Sequence, residues 1–477
     1  MTHGTLSKRK SIMSLHIAKP LRLLSAVLMS LGAPIVVHAA QVITLDDAIG
    51  IALERNVPLL QARTTAQLSD VAVGAAKLQF LPNLSLTTTG TRNYGRYYSP
   101  VTGNYINETT DSLTPGASSG VTLFTGLHDV ATLRQAKLTS QASKLDLSRA
   151  QETTVFTAVS NFLSLILQQD QLQVQRENLA AEVTLEEQIR QYVTSGTRAS
   201  ADLYQQQANV AAARLSVIQA ENAAELSKVD LLRTLQLDAI QTYDFQAPAI
   251  ETIYRDDSTT LQDLVAHAFS RRTDLQAEEA RVKALEQGVH VASSGYWPTV
   301  SLSTGYGSSY TNALPQSLHD QLDAYRNGSL SLNVSVPIFD SGVTRSAVHK
   351  AQLEVQNERI TLDSQRHEVE LQVKSVYLDY HAARDELTAA QAQQHTALLA
   401  VQSAQERFKA GTAILVEVSQ ERTSYMLAQS ALAVARYNLA LQSIQMKYYL
   451  GEIRRGQIQG EESHGLETAP PSNPPPS

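Results

Sequence analysis

The 477-residue chain contains no cysteine. That excludes disulfides, thiolate metal sites and a lipidated N-terminal cysteine. Basic residues are outnumbered, 39 Lys and Arg against 46 Asp and Glu, for a formal charge of −7. Nucleic-acid binding, which needs a basic stripe, has no footing here. Aromatic residues make up only 6% of the chain. Proline and glycine are scarce through long Gln- and Ala-rich blocks and gather between them. Past residue 40 no apolar run approaches the ~20 residues that a spanning helix needs.

The first 39 residues read as an export signal. Lys8, Arg9, Lys10, Lys19 and Arg22 precede or flank the apolar stretch LLSAVLMSLGAPIVV at 23–37, and Val37 and Ala39 fit cleavage after Ala39. A membrane anchor is the competing reading, but the apolar core is too short to favour it. The tail 451–477, ending HGLETAPPSNPPPS, is Pro-rich and is expected to be disordered.

What is present is one plan written twice. QFLPNLSLTTTG (79–90) matches YWPTVSLSTGYG (296–307), with Pro82 and Pro298 216 residues apart. TLDDAIGIALERNVPLLQAR (44–63) aligns with TLQDLVAHAFSRRTDLQAE (260–278) at that offset, each opening on a capping pair, Thr44 with Asp47 and Thr260 with Asp263. VTLFTG recurs as VPIFDSG, and YVTSGTRASADL as FKAGTAILVEV. Blocks that keep one offset mark an internal repeat. The expected division is repeat one at 40–238, a linker at 239–259 and repeat two at 260–450. Each repeat predicts a first helix (45–79; 261–295), two strands around a polar Tyr- and Gly-rich loop, a very long helix (127–194; 343–409) and a return helix (198–237; 413–450). Gly196-Thr197 and Gly411-Thr412 separate the long helices from their returns.

The helices carry heptads. Leu203, Val210, Val217, Ala224 and Leu231 recur every seventh residue, as do Val418, Tyr425, Leu432, Leu439 and Met446. The long helices repeat the pattern at Leu165, Leu172, Leu179 and Val193, and at Val373, Tyr380, Leu387, Val401 and Phe408. A seven-residue repeat commits helices to coiled-coil packing. The result is a rod.

Strands are expected at about 82–94, 113–125, 298–310 and 326–339. The last is the sharpest, with Leu330, Leu332, Val334, Val336 and Ile338 on one face and Ser329, Ser331, Asn333 and Ser335 on the other. That alternation fits a half-buried soluble strand or a lipid-facing barrel strand. Four strands cannot close a barrel alone, since single-chain barrels begin at about eight, and an open apolar sheet leaves hazardous edges. Closure by several copies is the economical solution. Tyr94, Tyr97, Tyr98, Tyr306, Tyr310 and Tyr325 gather at the loops, with Phe80, Phe124, Trp297 and Phe339 at the helix ends. Two aromatic belts favour a membrane sheet over a soluble one.

These stretches, together with ERFKAGTAILVEVSQERTSYMLAQSALAVARYNLALQSIQMKYYLGE, give a chain that resembles the TolC-like outer-membrane efflux proteins over about 41–450. The resemblance implies a mainly α fold with a small β part. In it a homotrimer builds one transmembrane β-barrel, four strands per chain, on a long coiled-coil α-helical barrel in the periplasm. It also implies an exit duct of tripartite efflux or type I secretion systems, docked through its helix tips onto a periplasmic adaptor and an inner-membrane pump. The tip constriction of that family carries over to Glu417 as the main acidic ring and to Asp202 as a tip-bonding carboxylate. A family arginine is replaced here by Ala413, a second acidic position by Gln420, and a proline found in other members by Thr273. Glu421 shares the face of Glu417 and is a substitute ring position. A solvated coiled-coil flank is the competing reading of Glu417 and Glu421.

Enzyme chemistry finds no support. GASSG at 116–120 fits a nucleophile pattern but lacks the buried strand before it and the helix after it. Gly305 and Gly307 lack a third glycine and a βαβ context. The 12 histidines are scattered, and His349, His367, His381 and His395 read as solvated helix positions. No cofactor, metal or catalytic residue is expected. The rival function is a periplasmic coiled-coil adaptor or structural protein without a pore, and such a chain would show one helical hairpin, not two.

Overall fold

The computed structural model describes residues 41–99, 101–248 and 260–453. The export signal, most of the linker and nearly all of the tail lie outside them. The fold is mostly helical with a small sheet part. Two helices of 67 residues dominate it, α3 (His128–Thr194) and α8 (Val343–Lys409). At 1.5 Å per residue each is about 100 Å long. Each turns back at its far end into a shorter helix, α4 (Ser200–Leu235) and α9 (Leu415–Tyr449). The heptad positions do the packing. Val210, Val217, Ala224, Leu231, Leu165, Val373, Tyr380, Val401, Phe408, Val418, Leu439 and Met446 are buried, while Leu172, Leu179, Val193, Leu203, Leu387, Tyr425 and Leu432 are half-buried.

The single first helix expected in each half is two helices. In the first half α1 (Leu45–Arg55) stops at Asn56, whose backbone is extended and whose side chain accepts the Leu59 N–H (3.3 Å) to start α2 (Val57–Leu78). Pro58 in that first turn cannot donate to a continuing helix. In the second half α5 (Leu261–Arg271) and α6 (Thr273–Ser293) part at Arg272 without any proline. Arg272 is buried there, held by Asp274 (2.6 Å) and Gln372 (2.8 Å). Thr44 and Asp47 form the expected reciprocal capping box, whereas the Thr260 hydroxyl accepts the Asp263 N–H (3.3 Å) and donates to the Asp263 carboxylate (2.6 Å) without the return bond to the Thr260 backbone.

Four strands form one antiparallel sheet: β2 (Asn83–Asn93), β5 (Thr110–Phe124), β7 (Thr299–Gly307) and β9 (Asn327–Ser335), in the order β2-β5-β7-β9. The last strand is shorter than expected. It ends at Ser335 because Pro337 has no N–H to offer the ladder, so Val336 and Ile338 belong to the exit segment. The loops are not featureless. β3 (Arg96–Ser99) and β4 (Asn104–Asn107) pair as a hairpin braced by Tyr98 against Tyr105, ring centroids 5.6 Å apart. In the other loop β8 (Tyr310–Thr311) adds to β5, and α7 (Leu318–Ala324) is anchored by buried Gln321, which donates to the Thr311 and Gln316 carbonyls and accepts the Thr311 N–H.

The helices line up in the order of the strands they join. Nearest the sheet the row is α2-α3-α6-α8, and farther away α4-α3-α9-α8. Between these zones lies the main core, where Phe162, Ile166, Leu235 and Ile444 pack with Ile49 and Phe245. A short parallel pair, β1 (Gln41–Ile43) with β6 (Tyr243–Phe245), closes it and was not expected.

Candidate functional site

The register of the sheet sorts its side chains by chemistry. Val121, Leu302 and Leu332 stand in one cross-strand row, and Phe124, Val300 and Val334 in the next. Leu84, Ser119, Thr304 and Leu330 form a further row on that face. On the opposite face Asn83, Gly120, Ser303 and Ser331 form one row, and Ser85, Ser118, Gly305 and Ser329 another. Side chains alternate across a strand, so these rows give one apolar and one charge-free polar face. Among the described residues nothing covers the outer part of the apolar side: Leu84, Leu86, Leu330, Leu332 and Val334 are all more than half exposed. Exposed rings bound the sheet at both ends, Tyr94, Tyr98, Tyr306 and Tyr325 at the loops and Phe80, Trp297 and Phe339 at the helices. Pro82 and Pro298 stand one residue before β2 and β7, at the helix-to-strand junctions.

Where the chain passes from sheet to helix it is tightly packed. Gly126 has φ +64°, and a Cβ there would lie 2.6 Å from Trp297 Cβ and 2.7 Å from the Ser294 carbonyl oxygen.

At the far end both helix tips are built alike. Gly196 and Gly411 adopt φ +74° and +76°, a left-handed conformation that glycine adopts without strain. Gly196 N–H reaches the Val193 carbonyl and Thr197 N–H the Tyr192 carbonyl; Gly411 and Thr412 do the same to Phe408 and Arg407. That is the two-bond C-terminal closure which satisfies orphan helix carbonyls. The threonine hydroxyls add bonds to the same Tyr192 and Arg407 carbonyls.

Two of the three tip carboxylates have partners. Glu417 is ion-paired with Arg407 across its own hairpin. Asp202 lies 3.9 Å from Arg198, and Glu421 stands half-buried with no ion-pair partner among the described residues. Arg198 does more than face Asp202. Its guanidinium lies over the Phe408 ring at 4.4 Å and donates to the carbonyl of buried Ala413 (3.4 Å), joining the two hairpins. Higher up, buried Arg422 on α9 donates to the Ala181 carbonyl (3.0 Å) and pairs with Glu182 on α3 (3.3 Å). Fully buried Gln206 on α4 donates to the same carboxylate (2.5 Å). Burial makes the charged form of Arg422 harder to hold, lowering its pKa.

This arrangement of a two-faced sheet on long paired helices has known counterparts. The sequence profile of the family described as "Outer membrane efflux protein" matches residues 48–235 and 264–452. The chain belongs to the outer membrane efflux protein family. It is similar to the Outer membrane efflux protein BepC of Brucella suis biovar 1, 23% identical over 439 residues and 91% of each chain. It is also similar to the Outer membrane protein TolC of Escherichia coli K12, 24% identical over 400 residues, 81% of this chain and 78% of that one. Its fold matches the CmeC outer membrane channel of Campylobacter jejuni with a TM-score of 0.75, at 17% identity and 86% of each chain. As an outer membrane efflux protein the chain is a transport protein of the outer membrane, with its helical part in the periplasm.

The sequence reading of this efflux protein missed three arginines at its tip. Arg407 precedes Gly411 by four residues and Arg198 follows Gly196 by two, so both positions were available. Apart from Asp202, four residues beyond Arg198, their partners were not, because pairing across a turn or between hairpins has no sequence periodicity. Arg422 sits inside a heptad-rich helix, where a charge reads as solvated.

Proposed function

We propose that three copies of this chain close one twelve-stranded barrel above one helical tunnel and act as the exit duct of a tripartite exporter. The observation that carries this reading is the coincidence of free margins. β2 and β9 are the outer strands of the sheet, each with one unpaired edge. The helix row ends on the same two sides, at α2 and α4 on one and α8 on the other. Those margins carry exposed apolar side chains, Leu60, Leu68 and Val71 on α2, Leu215 and Ile218 on α4, and Leu353, Ile360 and Leu371 on α8. In lipid every backbone N–H and C=O must find a partner, and a neighbouring copy's β2 beside β9 supplies it. A head-to-tail contact of this kind closes a ring.

In this reading Leu330, Leu332 and Val334 meet outer-membrane lipid, with Val336 and Ile338 below them, and the Ser-rich face lines the pore. The repeats at 40–238 and 260–450 give each copy two hairpins. The tips at Gly196-Thr197 and Gly411-Thr412 dock onto the periplasmic adaptor protein, which joins the duct to an inner-membrane pump. Glu417, Asp202 and Glu421 ring the constriction, and the pump selects the cargo. The duct needs no enzymatic step and no cofactor. Mass measurement of detergent-extracted protein, with conductance in planar bilayers, tests the assembly. A trimer that conducts is expected; a folded monomer that conducts overturns it.

A further inference from the structure

A groove between α2 and α3 carries more positive charge than its surroundings neutralise. The helices run antiparallel there, so residues whose numbers fall along one as they rise along the other share a level. Asp70 of α2 meets Lys144 of α3 (2.8 Å) and accepts from buried Ser140 (2.6 Å). Those two bonds hold its carboxyl below the usual range. About two turns nearer the sheet, Lys77 of α2 and Lys137 of α3 line the same groove. Neither has an ion-pair or hydrogen-bond partner among the described residues, and both are exposed. Two cations facing one groove repel each other unless an anion stands between them.

Its position says which anion. Lys77 is followed by Leu78, Phe80 and Leu81, all exposed, and then by Pro82 at the start of the membrane sheet. The cations therefore stand just below the aromatic belt, at the depth of phospholipid headgroups in the periplasmic leaflet, beside apolar side chains that suit an acyl chain. Basic pockets beneath membrane segments bind anionic headgroups.

We propose that the α2–α3 groove binds the phosphate of an anionic phospholipid between Lys77 and Lys137, with an acyl chain along Leu78, Phe80 and Leu81. The site follows from the outer-membrane placement and does not depend on the number of copies in the ring. Each lysine contributes about a fivefold gain in lipid affinity, the effect of one basic residue at an anionic surface.

The test uses the full-length protein in mild detergent, titrated with phosphatidylglycerol and, separately, phosphatidylcholine or inorganic phosphate, with adducts counted by native mass spectrometry. Phosphatidylglycerol is expected to be retained over phosphatidylcholine, and Lys77→Gln with Lys137→Gln should weaken retention by about 25-fold if the two effects add. Lys350→Gln, whose lysine already faces Glu354 (3.7 Å), should change nothing, and unaltered thermal unfolding of the double variant shows that it folds. Equal phosphatidylglycerol retention by wild type and double variant overturns the site. Binding of inorganic phosphate without preference for phosphatidylglycerol overturns the lipid assignment.

Discussion

Arginine at Leu332 tests which side of the sheet meets lipid. Leu332 shares a row with Leu302 and Val121 and lies midway along the chain between the boundary rings Tyr325 and Phe339. An arginine on the lipid face at the bilayer midplane costs about 2–4 kcal/mol. A three-copy ring repeats that cost in each copy, about 6–12 kcal/mol per assembly. Even the lower figure suppresses assembly by about four orders of magnitude. Arginine at the adjacent Ser331 is the matched control, because that residue shares the polar face with Ser303 and Gly120 and its charge stays in water. The assay is the fraction of each variant recovered from outer membranes as a heat-dissociable oligomer on gels, checked by size-exclusion chromatography. Assembly of Ser331→Arg at wild-type yield with loss of Leu332→Arg is expected. Equal yields of the two variants refute the assignment of the faces.

Three further perturbations probe the junction and the tip. Gly126→Ala adds the clash with Trp297 to a left-handed backbone worth about 1–2 kcal/mol, so its oligomer should dissociate at a lower temperature than that of Gly342→Ala, where φ is +81° but a Cβ meets nothing. Arg422→Met leaves Glu182 buried without its counter-charge and should destabilise the fold by about 3–5 kcal/mol; adding Glu182→Met should recover most of that in thermal unfolding, and no recovery would show that the pair is not coupled. Arg407→Ala frees Glu417, so trivalent cations added from the tip side should block single-channel current more strongly than in wild type, and Glu417→Ala should abolish block. Identical block in all three proteins would move the constriction away from Glu417, with Glu421 next in line.

The regular parts of the fold were legible because each is governed by one period. Heptads located the long helices to within a residue or two, since α3 and α8 occupy His128–Thr194 and Val343–Lys409 against the expected 127–194 and 343–409. Alternation marked β7 and β9, and the repeat carried β2 and β5 with them. What escaped is decided by single residues acting at a distance. Arg272 breaks a helix that has no proline to announce it, because burying the guanidinium against Asp274 and Gln372 requires the extended backbone. Gln321 folds a polar loop through three bonds to one strand and one turn. β1 and β6 pair only because the chain returns to Ile43 some two hundred residues later.

The tip illustrates the same division at the level of function. Its Gly-Thr turns are local, and the sequence located them at Gly196 and Gly411. The electrostatics are not local. A carboxylate ring read from the chain alone has Glu417 as a bare anion, since it stands at the start of a helix with Ala413 one turn ahead, whereas Asp202 already has Arg198 four residues before it. Folding brings Arg407 to Glu417 from the preceding helix and Arg198 to Asp202 from the turn. A guanidinium also reaches Ala413, because Arg198 donates to the Ala413 carbonyl from the other hairpin. Salt, which screens exposed charges within about 10 Å at 0.1 M, should weaken the part-exposed Arg407–Glu417 pair far more than the buried Arg422–Glu182 pair.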